Sequence, residues 1–96
     1  MKVRLSRPAT DDLGKILDTL FRQNPQAAGQ FVARIEKIFD RLGRFPGMAQ
    51  EVAGRDGVRK VPLVRFPYLI FYKVIADEVI ILRVVHGARR EPWESL

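Results

Sequence analysis

Positively charged side chains run through three strand-like segments in the second half of this sequence, and cations arranged in this way can bind anions. The segments cover residues 57–64, 68–74 and 79–85, and the last one leads into His86-Gly87-Ala88-Arg89-Arg90. The acids after residue 57 lie outside these strands, at Asp77, Glu78, Glu91 and Glu94. A basic strand face without acids of its own requires an acidic protein partner, a polyanion or both. The residues expected to make these contacts are Arg59, Arg65, Arg83, Arg89 and Arg90.

The single histidine, His86, could exchange a proton near neutral pH. A strand-end histidine that only closes a hydrogen bond is the more frequent situation. Arg89 and Arg90 could each hold a phosphate or a carboxylate through two hydrogen bonds, or they could belong to a solvated basic tail. The sequence contains neither a glycine-rich phosphate loop nor a cluster with metal-ligand spacing, so no cofactor and no metal are expected.

Composition narrows the class of protein. A length of 96 residues with 47% apolar residues predicts one folded domain over residues 1–96. The absence of cysteine excludes disulfides and thiolate chemistry. A net charge of +6 is compatible with either nucleic acid or an acidic protein as partner. No apolar run is long enough for a signal peptide or a membrane span, which favours a cytoplasmic protein without membrane contacts.

The first half of the sequence predicts a short strand followed by two amphipathic helices. Residues 2–5 alternate between polar and apolar side chains, as a strand does. Helical spacing then places Leu13, Ile16, Leu17, Leu20 and Phe21 on one stripe, and Phe31, Val32, Ile35, Ile38, Phe39 and Leu42 on another. Asn24-Pro25 separates the two stripes, because Asn caps helices and Pro is tolerated at a first helical position. So short a link predicts an antiparallel helical hairpin.

The predicted fold class is α+β, with the order β-α-α-β-β-β and the helical hairpin packed on a small, mainly antiparallel sheet. Residues 47–56 are expected to form an irregular loop, and Pro62 marks its strand as an edge or a bulge. Alternation along the last strand predicts that Ile80, Leu82 and Val84 face the helices. For the strand over residues 68–74, alternation leaves open which face meets the helices.

This element order comes with a characteristic set of residues. The set is Ala9-x-x-Asp12-Leu13-x-x-Ile16, Asn24-Pro25-x-Ala27-Ala28-x-x-Phe31, Leu42 with Pro46, Val58-Arg59, Tyr68-Leu69-Ile70-x-Tyr72-x-Val74, and Ile81-Leu82-Arg83-Val84-Val85-His86-Gly87-Ala88-Arg89. Taken in order, it resembles the RelE/ParE family of toxins from type II toxin–antitoxin systems. The resemblance implies a bacterial cytoplasmic toxin neutralised by an acidic, partly disordered cognate antitoxin.

The family has two branches with different targets. RelE-like members cleave mRNA on the ribosome without a metal, whereas ParE-like members inhibit DNA gyrase and lack that nuclease chemistry. The Asn-Pro-x-Ala-Ala segment and the His-Gly-Ala-Arg ending are more similar to the ParE-like branch. The resemblance therefore implies gyrase inhibition by protein–protein binding, without catalysis by the chain itself.

A ribosome-dependent mRNA endonuclease is the alternative. Such an enzyme needs a base, an acid and cations around the reacting phosphate. The residues that could supply them are Glu51, Arg59, Arg83, His86 and Arg89, although a solvated loop acid is the more frequent situation for a residue placed like Glu51. RNA-cleaving relatives tend to carry an arginine where this sequence has Tyr68, and a terminal tyrosine that it lacks. A second alternative is a non-toxic relative that only binds its antitoxin in a repressor complex.

The antitoxin is expected to lie over the basic strands. Arg83, between Ile81 and Val85, should be the more buried cation under the antitoxin, whereas Arg90 should mainly steer association.

Overall fold

The computed structural model of the protein describes residues 1–87, and it confirms the predicted α+β class. Two helices follow a first strand and pack on one mostly antiparallel sheet. The elements are β1 (Lys2–Leu5), α1 (Arg7–Gln23), α2 (Pro25–Arg44), β2 (Gln50–Glu51), β3 (Val58–Leu63), β4 (Tyr68–Ile75) and β5 (Glu78–His86). The two-residue strand β2 was not expected, because it lies within the segment 47–56 that reads as an irregular loop.

Local capping residues define the helical hairpin. The Ser6 hydroxyl accepts the Ala9 N–H and caps α1, so the turn after β1 is only one residue long. Asn24 ends α1 and also begins α2, because its side chain accepts the Ala27 N–H at 3.3 Å. Pro25 then occupies the first turn of α2, as expected. The single residue between the helices holds them as an antiparallel pair.

The sheet has the strand order β1-β5-β4-β3-β2. β1 runs parallel to β5, and the other pairs are antiparallel. A two-residue turn joins β4 to β5, with Ala76 and Asp77 both at positive φ, a geometry that suits the twist of a hairpin. β2 pairs only with Arg59 and Lys60, so Pro62 lies where β3 is an outer edge, as its missing donor requires.

A bulge interrupts the pairing of β4 with β5. Tyr72 lies opposite Ile81, whereas the preceding residue Phe71 lies opposite Arg83. Leu82 is therefore an extra residue in β5. An extra residue reverses the alternation of side chains along the rest of the strand.

The bulge changes which residues of β5 face the helices. The helix-facing core contains Val79, Ile81 and Val84. Leu82 instead packs with a second cluster around Phe71 and Val85. The prediction that Ile80, Leu82 and Val84 share the helix-facing side is correct only for Val84, because simple alternation does not anticipate a bulge.

The helix-facing core also settles the orientation of β4. Its buried members are Ala9, Phe31, Ile35, Leu42, Val61, Leu63, Ile70, Tyr72, Val79, Ile81 and Val84, and Tyr68 packs against them. Tyr68, Ile70 and Tyr72 therefore face the helices, while Leu69 and Phe71 face the other way. Two residues of the predicted helical stripes are exceptions, since Phe21 is 67% exposed and Val32 is 37% exposed.

Substitution of neighbouring β5 residues tests the bulge. Ile81→Ala should lower the free energy of unfolding by about 2–5 kcal/mol, because Ile81 is fully buried in the helix-facing core. Leu82→Ala is the matched control and should cost less, since Leu82 is only half-buried. Urea denaturation of the two variants provides the comparison. A larger loss of unfolding free energy for Leu82→Ala than for Ile81→Ala would mean that Leu82 faces the helices, as simple alternation predicts.

Candidate functional site

Arg83, the central cation of the predicted basic face, is bound by a carboxylate of α1. Its Nε donates to Asp12 Oδ2 at 2.7 Å, and its Nη2 donates to Asp12 Oδ1 at 2.9 Å. The Val84 N–H also donates to Asp12 Oδ2, at 2.9 Å. The Arg83 and Asp12 side chains are only 10% and 14% exposed. The hydrogen bond with Asp12 is the main cause that raises the pKa of Arg83, so the guanidinium stays charged.

The end of β1 explains this arrangement. β1 pairs with β5 only as far as Leu5, opposite Ile81, so the backbone of β5 needs other partners beyond that point. The Ser6 N–H donates to the Ile81 carbonyl, and the Ser6 hydroxyl donates to the Leu82 carbonyl, both at 2.9 Å. Asp12 then accepts the Val84 N–H. The first turns of α1 thus replace the missing strand along this edge.

The structure places Arg83 in an ion pair within the chain, where it is 9% exposed. The sequence predicts Arg83 as a contact for an antitoxin or for RNA, and this role stays a prediction. Alternation could not indicate the ion pair, because the partner lies 71 residues earlier in the sequence.

Arg59 organises the loop between α2 and β3. Its guanidinium donates to the carbonyl of Ala49 and lies 3.5 Å from Glu51 Oε1. Opposite Arg59 in β4, the Tyr72 hydroxyl donates to the Pro46 carbonyl at 2.7 Å. Burial raises the pKa of Tyr72, and the positive charge of Arg59 partly opposes that shift. Both side chains hold the loop against the sheet, and the Arg59 side chain remains 29% exposed.

His86 lies at the other end of the sheet, in a row of aromatic rings. It is opposite Tyr68, with ring centroids 5.8 Å apart in an edge-to-face contact. Tyr68 makes a similar contact with Phe31 at 5.7 Å, and Phe31 contacts Phe66 at 5.3 Å. This geometry is the favourable one for aromatic pairs. Tyr68, at the position where RNA-cleaving relatives tend to have an arginine, is therefore part of a packed aromatic row.

Among the described nuclease candidates, Glu51 and Arg59 lie apart from His86 along the sheet. Glu51 and Arg59 are neighbours, but Arg59 lies opposite Tyr72 and His86 lies opposite Tyr68. Four residues of an extended strand span about 13 Å. Backbone positions this far apart do not by themselves place Glu51 and His86 at hydrogen-bond distance from one phosphate. Arg89 and Arg90 lie outside the described residues.

Arg65 borders a groove that the sequence did not indicate. It lies in the turn between β3 and β4, at a φ of 74°, and is exposed. Together with Arg34 and Lys37 of α2 it lines an open groove of about 460 Å³. The one indication of this groove in the sequence is the spacing of Arg34, Lys37 and Arg41 on the polar face of α2. The same spacing is equally typical of an ordinary solvated helix face.

Residues 1–87 contain no group of three or more histidine, cysteine, aspartate or glutamate side chains placed to hold a metal ion. Over the same residues, neither helix combines the length and apolar character needed to cross a bilayer.

A protein-family model described as "ParE toxin of type II toxin-antitoxin system, parDE" matches residues 3–91. The chain belongs to this toxin family. Among curated proteins it is 28% identical to Toxin ParE3 of Caulobacter vibrioides over 88 residues, which is 90% of this chain and 86% of that protein. It is also 33% identical to the putative toxin Y4kP of Sinorhizobium fredii over 86 residues, covering 85% and 80% of the two chains.

Solved structures agree with this assignment. The fold matches a chain of the chromosomal ParDE toxin–antitoxin system of P. aeruginosa with a TM-score of 0.77 and 27% identity, over 90% of this chain and 95% of the other. A chain of the RelBE2 toxin–antitoxin complex of Mycobacterium tuberculosis gives 0.62 and 27%, over 92% of each chain. The isolated RelE toxin of E. coli gives 0.65 at 18% identity, over 98% and 92%, and shares the fold. The expected RelE/ParE resemblance, closer to ParE, is confirmed.

Removal of the Asp12 carboxylate tests the ion pair. Asp12→Ala should lower the free energy of unfolding by about 3–5 kcal/mol, because it leaves the Arg83 charge buried without a partner. Asp11→Ala, at an exposed neighbouring position, should change it by less than about 0.5 kcal/mol. Denaturation of the double variant Asp12→Leu, Arg83→Met should recover much of the loss. A loss for the double variant as large as that for Asp12→Ala would mean that the unpaired Arg83 charge is not the cause.

The buried hydroxyl of Tyr72 predicts a loss of stability in alkali. Its pKa is raised in the folded state, so at a pH above the ordinary tyrosine value of about 10 the unfolded chain loses this proton first. The contribution of Tyr72 is therefore present below that pH and declines above it. Tyr72→Phe should weaken the dependence of melting temperature on pH above 10. Parallel curves for the parent and Tyr72→Phe would exclude Tyr72 as the cause.

Proposed function

We propose that this chain is a toxin that inhibits DNA gyrase by protein–protein contact and is neutralised by an acidic, partly disordered cognate antitoxin. Membership of the ParE toxin family supports the toxin and antitoxin parts of this proposal. The similarity to the ParE-like branch, including Toxin ParE3 and a ParDE chain, supports gyrase as the target. Because gyrase acts on the bacterial chromosome, the toxin would act in the cytoplasm.

The observation that carries the proposal is the environment of Tyr68. In RNA-cleaving relatives an arginine is expected at this position, where a cation would stabilise the phosphate charge. Here Tyr68 is packed between Phe31 and His86. A tyrosine in this position provides no cation, and the neighbouring histidine makes a ring contact. This favours target inhibition by binding over RNA cleavage.

The separation of the other nuclease candidates supports the same choice. Glu51 is close to Arg59, which also binds the loop carbonyl of Ala49. His86 lies about 13 Å further along the sheet, by the rise of a strand. An endonuclease would require a large rearrangement to bring Glu51 and His86 to one phosphate.

We further propose that partners contact Arg59, Arg65, Arg89 and Arg90. Arg65 is exposed and Arg59 is partly accessible, so both could pair with acidic side chains of a partner. The proposed role of Arg83 is different, because its ion pair positions α1 against β5. Arg83 would then affect partner binding indirectly, by holding α1 in place against β5.

Two assays on the purified chain distinguish the possible targets. The parent should inhibit DNA supercoiling by gyrase, while mRNA on programmed ribosomes stays intact. His86→Ala should inhibit gyrase to within about threefold of the parent, because the proposed mechanism needs no acid–base chemistry at His86. Expression of the chain alone in bacteria should cause growth arrest with an induced DNA-damage response. Co-expression of the neighbouring antitoxin gene should relieve the arrest.

Two outcomes would contradict this proposal. Codon-dependent mRNA cleavage by the parent, lost in His86→Ala, would establish the endonuclease alternative. Absence of both gyrase inhibition and growth arrest, with intact antitoxin binding, would indicate the non-toxic repressor-complex alternative. Circular dichroism of His86→Ala provides the folding control.

A further inference from the structure

Three cations follow one another along α2 without acidic partners. Arg34, Lys37 and Arg41 are spaced at i, i+3 and i+7, and Arg65 comes from the turn between β3 and β4 on the other side of the groove. Within residues 1–87, none of these four has an ion pair or a side-chain hydrogen bond. By contrast, Arg44 on the same helix pairs with Asp40. Four neighbouring charges without partners repel one another, so an anionic ligand would relieve that repulsion.

These cations line a recess in the surface. Arg34, Lys37 and Arg65 surround one part of it, and Arg34, Lys37 and Arg41 surround a narrower continuation of about 120 Å³. Seven residues of an α-helix span about 10 Å, so the row on α2 matches acids that recur every third or fourth residue on a partner helix. We refer to the whole recess, lined by α2 and the β3–β4 turn, as the α2 groove.

The α2 groove also has apolar walls. Phe66 and Ala33 line its wider part, and Ile38, Leu63 and Val64 line the narrower one. Val64 is 59% exposed and adds apolar surface to the narrower part of the groove. Apolar side chains of a ligand would cover this area, whereas a purely polar ligand would leave it in water.

The combination of charge and apolar surface favours a peptide over nucleic acid. A single strand would need an aromatic face on which bases could stack. The one aromatic residue lining the groove, Phe66, is only partly exposed and its ring meets Phe31. A duplex presents a convex surface, which a recess between a helix and a turn does not fit. An amphipathic helix supplies both acids and apolar side chains.

We propose that the α2 groove binds an amphipathic peptide segment whose acidic residues recur at helical spacing. The identity of this segment as part of the antitoxin rests on the proposed function. The binding of such a segment in the α2 groove does not. The groove itself is defined by residues 30–41 and 63–66 and does not involve Arg59, Arg83 or His86. It shares Arg65 with the basic residues from which the antitoxin contact was first expected, and it adds the cations of α2 to them.

Peptide binding tests the groove directly. The probe is a fluorescein-labelled helical peptide with glutamate at every third or fourth position and leucine on the adjoining face. Fluorescence anisotropy with the full chain should show binding that exceeds that of a single-stranded oligonucleotide of equal net charge. Arg34→Glu combined with Lys37→Glu should weaken peptide binding at least about tenfold, because charges covered by a partner contribute strongly to affinity.

Two further variants distinguish binding of the peptide in the α2 groove from attraction to the net positive charge of the chain. Lys2→Glu combined with Lys15→Glu changes the net charge equally at exposed positions outside the groove, and should weaken binding less than about threefold. Ala33→Trp fills the groove without altering the charge, and should weaken peptide binding at least about tenfold. Ala33 is exposed, so this variant should remain folded, which circular dichroism can check.

Several results would overturn the proposal. Equal losses for the two charge-reversal variants would mean that the peptide responds only to net charge. Full binding by Ala33→Trp would place the peptide elsewhere, and tighter binding of the oligonucleotide would make the groove a nucleic-acid site. Gyrase inhibition is measured separately on the same variants. If the parent fails to inhibit gyrase, the proposed function fails, while the peptide measurements still decide whether the α2 groove binds as described.

Discussion

The contact between Asp12 and Arg83 is the interaction on which the rest of this structure depends. One carboxylate of α1 accepts two hydrogen bonds from the guanidinium and one from the backbone of Val84. It completes the edge of β5 where β1 has ended, and it does so next to the bulge at Leu82. Because both charged groups are largely buried, each requires the other. The helical hairpin is thereby held against the sheet by a directional contact as well as by its apolar stripe.

The ion pair also changes which cations of this protein are available to a partner. The sequence predicts one basic face from the strand arginines, but Arg83 is paired with Asp12 of α1 and Arg59 binds the loop before β3. Four cations that have no ion pair within residues 1–87 lie close together along α2 and in the turn containing Arg65. Charges that the fold uses internally are less available to a partner. The side of the molecule that attracts acidic ligands is thus set by how the cations are paired as well as by how many there are.

At the other end of the sheet, an aromatic row includes Tyr68, at the position where we expect an arginine in RNA-cleaving relatives. Phe66, Phe31, Tyr68 and His86 contact one another edge to face, and the row links the β3–β4 turn, α2 and two strands. Rings packed in this way stabilise the core and hold His86 in a ring contact. A shared fold therefore does not decide the function by itself, because the side chains at such a position can differ between relatives.

Much of the architecture was determined by local sequence. Ser6, Asn24 and Pro25 set the helix ends through capping chemistry that acts within a few residues, and the two apolar stripes then required a sheet to cover them. The ordered set of family residues likewise predicted the toxin family. Only the tertiary structure decided the face of Leu82, the burial of Arg83 and the separation of Glu51 from His86. Each depends on a bulge or on a partner far away in sequence, and neither strand alternation nor residue spacing contains that information.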